Sequence, residues 1–223
     1  MRFSEIFEVG RGLTALIGGG GKTSLMYRLA EELQAQGSVI VCTSTHIRRP
    51  DGLPVLSGED ADKVRAALQA SPVVCLGREA EQGKLCAPGL PFSALTALAD
   101  FVLVEADGSK RLPLKAHLPH EPVIPKNAAQ TILVAGASGL GQPIRAVCHR
   151  PERWAALAGC EMDEPAAAEG MARVIRAEGY GDRVFLNQAE TPERVAAAQL
   201  LAQRLPCPVY AGSIWREELQ CWS

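Results

Sequence analysis

The chain has 223 residues, of which 47% are hydrophobic and 22% are charged, and its formal net charge is −2. This length supports a sizeable core without disulfide or metal staples, and the near-neutral charge argues against a nucleic-acid partner or an anionic membrane surface. The N-terminus lacks the apolar core of a signal peptide, no apolar run reaches the ~20 residues of a membrane helix, and the seven cysteines are scattered. We therefore expect a soluble, cytoplasmic protein with reduced thiols and no membrane partner.

Short apolar segments alternate with helical patterns along the chain. The first segment, residues 13–17 (LTALI), predicts a strand, and the residues after the four glycines predict a helix that ends before Gly37. Further strands are predicted at residues 38–45, 72–76, 100–108, 131–136 and 182–187 and in the segment CPVYAG. Further helices are predicted for EDADKVRAALQA, FSALTAL, PERWAAL, EPAAAEGMARVIRAEG and TPERVAAAQLLAQRL.

The predicted strands are continuous apolar runs, which is the pattern of a sheet covered on both faces. Because strands alternate with helices, the crossover connections favour a mostly parallel sheet. We therefore predict an α/β fold, a mostly parallel sheet with helices on both faces, of the P-loop NTPase-like kind. The chain is expected to form a single domain over residues 1–223, with residues 148–180 as a candidate helical insertion.

Four glycines run directly into a lysine and a threonine in the segment GGGGKTS. The standard phosphate-loop pattern requires a glycine where this chain has Leu16, but a shorter G-x-x-G-K-T form begins at Gly18 and resembles the loops of Mur-type peptidoglycan ligases. Backbone N–H groups and the positive helix end favour an anion there, while Lys22 would neutralise phosphate charge and Thr23 would offer its hydroxyl to Mg²⁺. The predicted nucleotide-binding residues are Gly18, Gly19, Gly20, Gly21, Lys22, Thr23 and Ser24.

A plain strand-to-helix turn and a dinucleotide-binding loop are the alternatives for this segment. A plain turn does not explain why Lys22 lies beside the positive end of a helix, where its charge is unfavourable without an anion. The dinucleotide pattern G-x-G-x-x-G fails because Thr23 occupies the place of its third glycine. Phosphate binding is therefore the favoured interpretation.

Two carboxylates follow the apolar run FVLV at residues 101–104. A phosphate loop needs a partner that holds magnesium and orients water, and we assign magnesium to Asp107 and the water or an outer position to Glu105. An ordinary polar turn is the alternative. At the end of another predicted strand, Thr45 is a third candidate magnesium ligand, although a plain polar strand end explains it equally well.

The segment NQAE at residues 187–190 resembles the N-K-x-D guanine-reading motif of GTP-binding proteins, with Gln188 for lysine and Glu190 for aspartate. In that motif the carboxylate accepts two N–H donors of guanine and the asparagine ties loops together. Asn187 and Glu190 are therefore candidate nucleotide-binding residues. A loop with a helix N-cap, followed by Thr191 and a proline, is a slightly favoured alternative, so the base, ATP or GTP, stays open.

The segment GSKRLPLKAHLPHEPVIP is long, polar and rich in proline, and loops of this length are usually functional or mobile. Its cations Lys110, Arg111 and Lys115 are candidates for binding phosphate or an anionic substrate. Its histidines, His117 and His120, lack further metal ligands nearby and are expected to be solvated.

Taken together, the segments GGGGKT, T-x-T-H, VEADGSKRLPLKAHLPHEPVIP, GLGQPIRAVCHRPE and FLNQAE resemble the YqeC family of selenium-dependent molybdenum hydroxylase accessory proteins. The resemblance covers nearly the whole chain, and ADGSKRLPLKA…HEPVIP is its most specific part. It implies a P-loop nucleotide-binding protein that assists hydroxylase maturation. It also draws attention to Asp107, Lys110, Lys115, His120 and Glu121.

The leading hypothesis is a magnesium-dependent nucleoside triphosphatase that binds ATP or GTP and partners a molybdenum hydroxylase or a cofactor-maturation protein. In it Lys22, Glu105 and Asp107 would carry the catalysis. A small-molecule kinase or ATP-dependent ligase is one alternative, with residues 108–125 holding an anionic acceptor. A non-catalytic, nucleotide-gated scaffold for a hydroxylase subunit is the other.

Overall fold

The computed structural model describes residues 2–222, and strands alternate with helices along most of this range. The strands are β1 (Gly12–Gly18), β2 (Val39–Thr43), β3 (His46–Arg48), β4 (Val55–Leu56), β5 (Val73–Leu76), β6 (Arg78–Glu79), β7 (Lys84–Cys86), β8 (Phe101–Glu105), β9 (Leu114–Lys115), β10 (Ala128–Gly136), β11 (Cys148–His149), β12 (Arg183–Asn187), β13 (Val209–Ser213) and β14 (Glu218–Trp222). The helices are α1 (Phe3–Ile6), α2 (Lys22–Leu33), α3 (Ala61–Ala70), α4 (Phe92–Leu95), α5 (Ile144–Val147), α6 (Pro151–Ala158), α7 (Ala168–Glu178) and α8 (Pro192–Arg204).

A sheet of nine strands, counted within the described range, forms the centre of the molecule in the order β14-β13-β12-β10-β1-β8-β2-β5-β4. Neighbouring strands run parallel except for β14, which is antiparallel to β13. This confirms the predicted α/β fold with a large, mostly parallel sheet flanked by helices. The architecture is consistent with a P-loop NTPase-like fold.

Alternating side chains of β1 supply two separate cores, one on each face of the sheet. Leu13, Ala15 and Ile17 belong to one core, and Leu16 belongs to the other together with Leu25 of α2. Successive strand residues point to opposite faces, so a strand that is apolar throughout must be covered on both sides. The continuous apolar pattern of the sequence therefore reflects helices on both faces.

The central position of β1 places its carboxyl end between two other strand ends. Gly18 pairs with Val134 of β10, and Leu16 pairs with Glu105, the last residue of β8. The connection from β1 to α2 therefore lies at the edge of the sheet where ligands of parallel α/β folds bind.

Several predicted elements are longer than the observed ones, and the small sheet β3-β7-β6 was not predicted. Its strands have two or three residues each, too few for a periodic pattern to be visible. Within the region 148–180, α6 and α7 contribute Trp154 and Met171 to the core that contains Leu13, Ala15 and Ile17 of β1. No helix between residues 2 and 222 combines the length and apolar character needed to cross a membrane.

The seven cysteines are all free thiols. Burial raises the pKa of Cys75 and that of Cys148 to about 12, and it raises the pKa of Cys42 as well. Since the thiolate is the reactive and metal-binding form, these three cysteines act as packing residues. Cys221 is exposed.

Candidate phosphate-binding site

The connection between β1 and α2 requires glycine at several positions. Gly18, Gly20 and Gly21 have φ values of +96°, +70° and +126°, which side-chain-bearing residues rarely adopt. A Cβ atom on Gly20 would lie 2.2 Å from the backbone nitrogen of Gly136. The glycines therefore allow the loop to turn tightly against the end of β10.

The backbone N–H groups of this loop fall into two sets. Those at its start already donate inside the protein, from Gly18 to Asp107 Oδ2, from Gly19 to the carbonyl of Val134 and from Gly20 to the carbonyl of Leu112. Those at the start of α2 find no acceptor among residues 2–222; they belong to Gly21, Lys22, Thr23 and Ser24. Unpaired N–H groups and the positive end of the helix dipole favour an anion at this point.

Lys22 is buried and lies between two carboxylates and the glycine loop. Its Nζ donates to the carbonyl of Gly18 at 2.5 Å and is 3.1 Å from Asp107 Oδ1 and 3.9 Å from Glu105 Oε1. A buried ammonium needs such partners, because its desolvation is otherwise costly. The lysine is therefore already held at the loop before any ligand is considered.

Glu105 is the carboxylate that contacts the start of α2. Thr23 Oγ1 donates to Glu105 Oε2 at 2.6 Å. Burial raises the pKa of Glu105, while Lys22 and the hydrogen bond from Thr23 oppose that rise. Mg²⁺ is coordinated by oxygen atoms, of which few come from the protein and most come from water and phosphate. A threonine hydroxyl beside a carboxylate at the helix start supplies two oxygen ligands that suit this ion.

Asp107 is held by the protein on several sides. Burial raises its pKa, but Lys22, the hydrogen bonds from His117 and the Gly18 N–H, and Lys115 outweigh this and lower it to about 2. Its Oδ2 lies 3.1 Å from Lys115 Nζ and 2.7 Å from His117 Nε2. Asp107 is thus an ionised carboxylate that fixes the glycine loop, and it does not contact Thr23.

His117 is buried, so the expectation that it is solvated is wrong. Its ring bridges two carboxylates, with Nε2 2.7 Å from Asp107 Oδ2 and Nδ1 2.7 Å from Glu178 Oε2. Its backbone N–H also donates to Glu178 Oε1 at 2.6 Å. Burial of the imidazole lowers its pKa, but these two carboxylates outweigh burial and raise the pKa above the ordinary value. The bridge connects the glycine loop, through Asp107, to the end of α7.

The loop cations separate into a buried group and a cleft-lining group. Lys115 is buried and lies 3.3 Å from Glu121 Oε2, and Glu121 also pairs with Arg150 at 3.4 Å. Lys110 and Arg111 adopt positive φ values of +50° and +64° in the turn beside the glycine loop. His120 is exposed and makes no hydrogen bond or ion pair within residues 2–222. Lys115 therefore forms its ion pairs inside the protein, whereas Lys110 and Arg111 line the cleft.

A cleft of about 980 Å³ opens above the start of α2. Its lining joins the glycine loop to cations from four separate chain segments. These cations, apart from Lys22, are Arg48, Lys84, Lys110, Arg111 and Arg150. His46, His149 and Gln188 line it as well. A cleft of this size accommodates a ligand of nucleotide dimensions.

Thr45 lines the cleft and lies next to the end of β2. Thr43 Oγ1 donates to the backbone carbonyl of Glu105 at 2.8 Å, and it accepts from the backbone N–H of Thr45 at 3.0 Å. The Thr43 hydroxyl is thus used inside the protein, and the Thr45 hydroxyl lies 3.4 Å from it. Within residues 2–222, no three His, Cys, Asp or Glu side chains form a metal-binding group.

Asn187 and Glu190 lie on the other side of the glycine loop. Asn187 Nδ2 donates to the carbonyl of Gly20 at 2.8 Å, and Glu190 Oε1 accepts from Ser213 Oγ at 2.6 Å. The N-cap of α8 is Thr191, whose hydroxyl accepts from the backbone N–H of Arg194. These contacts lie within the protein, as the loop-and-cap alternative expects, and Asn187 and Glu190 stay candidate nucleotide-binding residues.

Sequence reasoning missed Glu178, Arg150 and the two cations on the small sheet, Arg48 and Lys84. Glu178 ends a helix like any other polar residue, and its contact with His117 joins positions 61 residues apart. The side chains of Arg48 and Lys84 reach the cleft only because β3 and β7 pair with each other. A local pattern carries no signal for such contacts.

Two comparisons place the chain among known sequences. The family model described as YqeC protein matches residues 14–152. A relative from Escherichia coli (strain K12), described as an uncharacterized protein YqeC, is 36% identical over 172 residues, which are 73% of this chain and 66% of the relative. The chain thus spans about two thirds of the length of that relative. The family match contains the glycine loop, Glu105 and Asp107, whereas Asn187 and Glu190 lie outside it.

Proposed function

The chain belongs to the YqeC family, and from this premise and the geometry of its glycine loop we propose a magnesium-dependent nucleotide-binding protein that hydrolyses a nucleoside triphosphate. The observation that carries the proposal is a buried lysine beside four unpaired N–H groups at the start of α2. We further propose that it assists the maturation of selenium-dependent molybdenum hydroxylases. That part of the proposal is supported only by the family resemblance described above.

The phosphates are proposed to lie at the start of α2, over the unpaired N–H groups. The ammonium of Lys22 lies within 4 Å of the carboxylates of Asp107 and Glu105. When phosphate binds, Lys22 would exchange these contacts for phosphate oxygens. Charge-assisted hydrogen bonds of this kind are stronger than neutral ones. Asp107 would stay on the Gly18 N–H and hold the loop in shape.

We propose Glu105 and Thr23, rather than Asp107, as the protein groups closest to magnesium. Thr23 and Glu105 are in direct contact at the helix start, while Asp107 is engaged with Lys22, Lys115 and His117. When bound, the ion would neutralise charge on the β- and γ-phosphates. Thr45 stays a candidate for an outer position.

Transfer to an anionic acceptor is the second candidate function, and the cations that line the cleft favour it. Besides the glycine loop, the lining contains Arg48, Lys84 and Arg111. Cations in this position suit a carboxylate or phosphate group on a second substrate. A non-catalytic scaffold would bind nucleotide in the same place without turnover.

Thermal stabilisation by nucleotide tests the phosphate site. A ligand at 100 times its dissociation constant adds ~2.7 kcal/mol, which in a domain of this size raises Tm by roughly 5–11 °C. We expect this shift with Mg-ATP or Mg-GTP, and we expect Thr23→Val to abolish its magnesium dependence. Thr96→Val, which removes a comparable helix-end hydroxyl that bonds the carbonyl of Ser93, is the matched control. No shift with either nucleotide at millimolar concentration would overturn the proposal.

Phosphate release separates the candidate functions. Release without an added acceptor supports a hydrolase, and release only with an anionic acceptor supports a kinase or ligase. Binding without turnover, together with capture of a purified hydroxylase subunit, supports the scaffold. A variant with Arg48→Gln and Lys84→Gln should leave acceptor-free hydrolysis unchanged and weaken any acceptor-dependent turnover.

A further inference from the structure

Two loops at the carboxyl ends of β12 and β13 are tied to the glycine loop by one buried side chain. Asn187 Nδ2 donates to the carbonyl of Gly20 at 2.8 Å, and Asn187 Oδ1 accepts from the backbone N–H of Ile214 at 3.2 Å. A Cβ atom on Gly21 would lie 2.5 Å from Asn187 Nδ2 and 3.8 Å from Ile214 Cδ1. The turn after β13 is therefore held directly beside the proposed phosphate position.

Glu190 follows β12, and one oxygen of its carboxylate is held by a hydrogen bond. Its Oε1 accepts from Ser213 Oγ at 2.6 Å, and that hydroxyl in turn accepts from the backbone N–H of Arg216 at 3.3 Å. Within residues 2–222, Glu190 forms no ion pair, and its second oxygen accepts no hydrogen bond. Because Thr191 caps α8, the helix does not use this carboxylate. An oriented, half-buried carboxylate without a cation is suited to a ligand that brings N–H donors.

The chemistry of an anchored carboxylate discriminates between the purine bases. An ionised carboxylate can only accept hydrogen bonds. Guanine offers two adjacent donors on its Watson–Crick edge, the N1–H and the N2 amino group. Adenine offers one donor, the N6 amino group, beside the acceptor N1, so a carboxylate would face a lone pair. Such a mismatch leaves groups unpaired on both sides and disfavours the wrong base.

We propose that Glu190, oriented by Ser213, selects guanine, so that the nucleotide of the proposed function is GTP. The proposal rests on the proposed phosphate site, to which Asn187 links this carboxylate through Gly20. The same turn carries Trp215, which is 84% exposed. Its indole offers an aromatic face on which a purine can stack, as aromatic side chains do in nucleic-acid sites.

Measured dissociation constants for the magnesium complexes of GTP, ATP and XTP test this selection. A good bidentate contact to a base discriminates by roughly 5- to 150-fold, so the wild-type protein should bind GTP more tightly than ATP by about that factor. Glu190→Gln should lose this preference. Because xanthine has a carbonyl in place of the guanine amino group, the amide of Glu190→Gln should improve XTP binding while it weakens GTP binding.

Glu193→Gln is the matched control, because Glu193 is an exposed glutamate three residues further along. It should leave the ratio of GTP to ATP affinity unchanged. Equal affinity of the wild-type protein for GTP and ATP, or a preference for ATP, would overturn guanine selection and leave the phosphate site standing. Failure of both nucleotides to bind at millimolar concentration would overturn the phosphate site and this proposal with it. The wild-type ratio decides the matter even if Glu190→Gln does not fold.

Discussion

Replacing Asp107 by asparagine should destabilise the ligand-free protein strongly. The carboxylate is 1% exposed and lies 3.1 Å from the ammonium groups of both Lys22 and Lys115. It also accepts from the Gly18 N–H at 2.8 Å and lies 2.7 Å from His117 Nε2. Asp107→Asn keeps the shape of the side chain but leaves two buried ammonium groups without their shared anion.

Two independent routes give the size of the effect. Removing one partner of a buried ion pair costs about 3–5 kcal/mol, and the lower end applies here because Glu105 and Glu121 stay near the two lysines. The pKa of Asp107 is lowered from 3.8 to about 2, which corresponds to ~2–3 kcal/mol of stability at neutral pH. A loss of about 3 kcal/mol lowers Tm by roughly 6–12 °C in a domain of this size.

Thermal unfolding of the nucleotide-free protein, followed by circular dichroism, measures this loss. The stabilisation from a lowered carboxylate pKa is present above the unfolded value, near pH 4, and is lost as the pH falls toward about 2. The difference between wild type and Asp107→Asn should therefore shrink in that window. Asp62→Asn, at an exposed helix position, should change stability by less than about 0.5 kcal/mol. A variant that melts within about 2 °C of wild type at neutral pH would refute the reasoning.

Two further predictions concern the residues around this carboxylate. The pKa of His117 is raised by Asp107 and Glu178 against the effect of burial, so its stabilisation is present below about pH 6.5 and is lost as the pH rises through the folded pKa. His117→Gln should flatten this part of the pH profile of Tm, and an unchanged profile would contradict the assignment. Gly20→Ala should unfold the protein or abolish nucleotide binding, because its Cβ would meet backbone atoms of Gly136. Gly52→Ala, at a similar positive φ in open space, should cost only about 1–2 kcal/mol in urea unfolding.

The sequence was sufficient to predict the central part of the fold because its signals are local. The run LTALI became β1, and the helix after the glycines began at Lys22, where the change of period occurs. The four glycines also mark the connection between these two elements, in which Gly18, Gly20 and Gly21 have positive φ values. The residues that the sequence analysis assigned to the glycine loop lie together at one edge of the sheet in the structure.

The burial of the loop that follows β8 could not be predicted in the same way. Lys115 and His117 lie in a polar, proline-rich segment and would ordinarily be solvated. Lys115 is buried against Asp107 and Glu121 of the same loop region, whereas His117 is buried against Glu178 of α7. Charges separated by 61 residues have no shared period, so only the tertiary structure reveals their contact.

The roles of the two strand-end carboxylates illustrate the same limit. The sequence supports two carboxylates near the glycine loop, but it does not determine which one contacts the start of α2. β8 ends at Glu105, whose side chain accepts from Thr23, and the chain then turns Asp107 toward the Gly18 N–H. The assignment of magnesium to Asp107 stays a prediction, and the geometry favours Glu105 in that place.

The position of Lys22 links the two ligands of the proposed function thermodynamically. In the ligand-free protein one ammonium group serves as counter-charge to both Glu105 and Asp107. Phosphates that recruit this ammonium leave the carboxylates short of positive charge, and a divalent cation beside Glu105 would restore it. Nucleotide and magnesium should therefore each raise the affinity for the other by the same factor. Such reciprocal binding would let the protein discriminate a metal-complexed nucleotide from a free one before any chemical step begins.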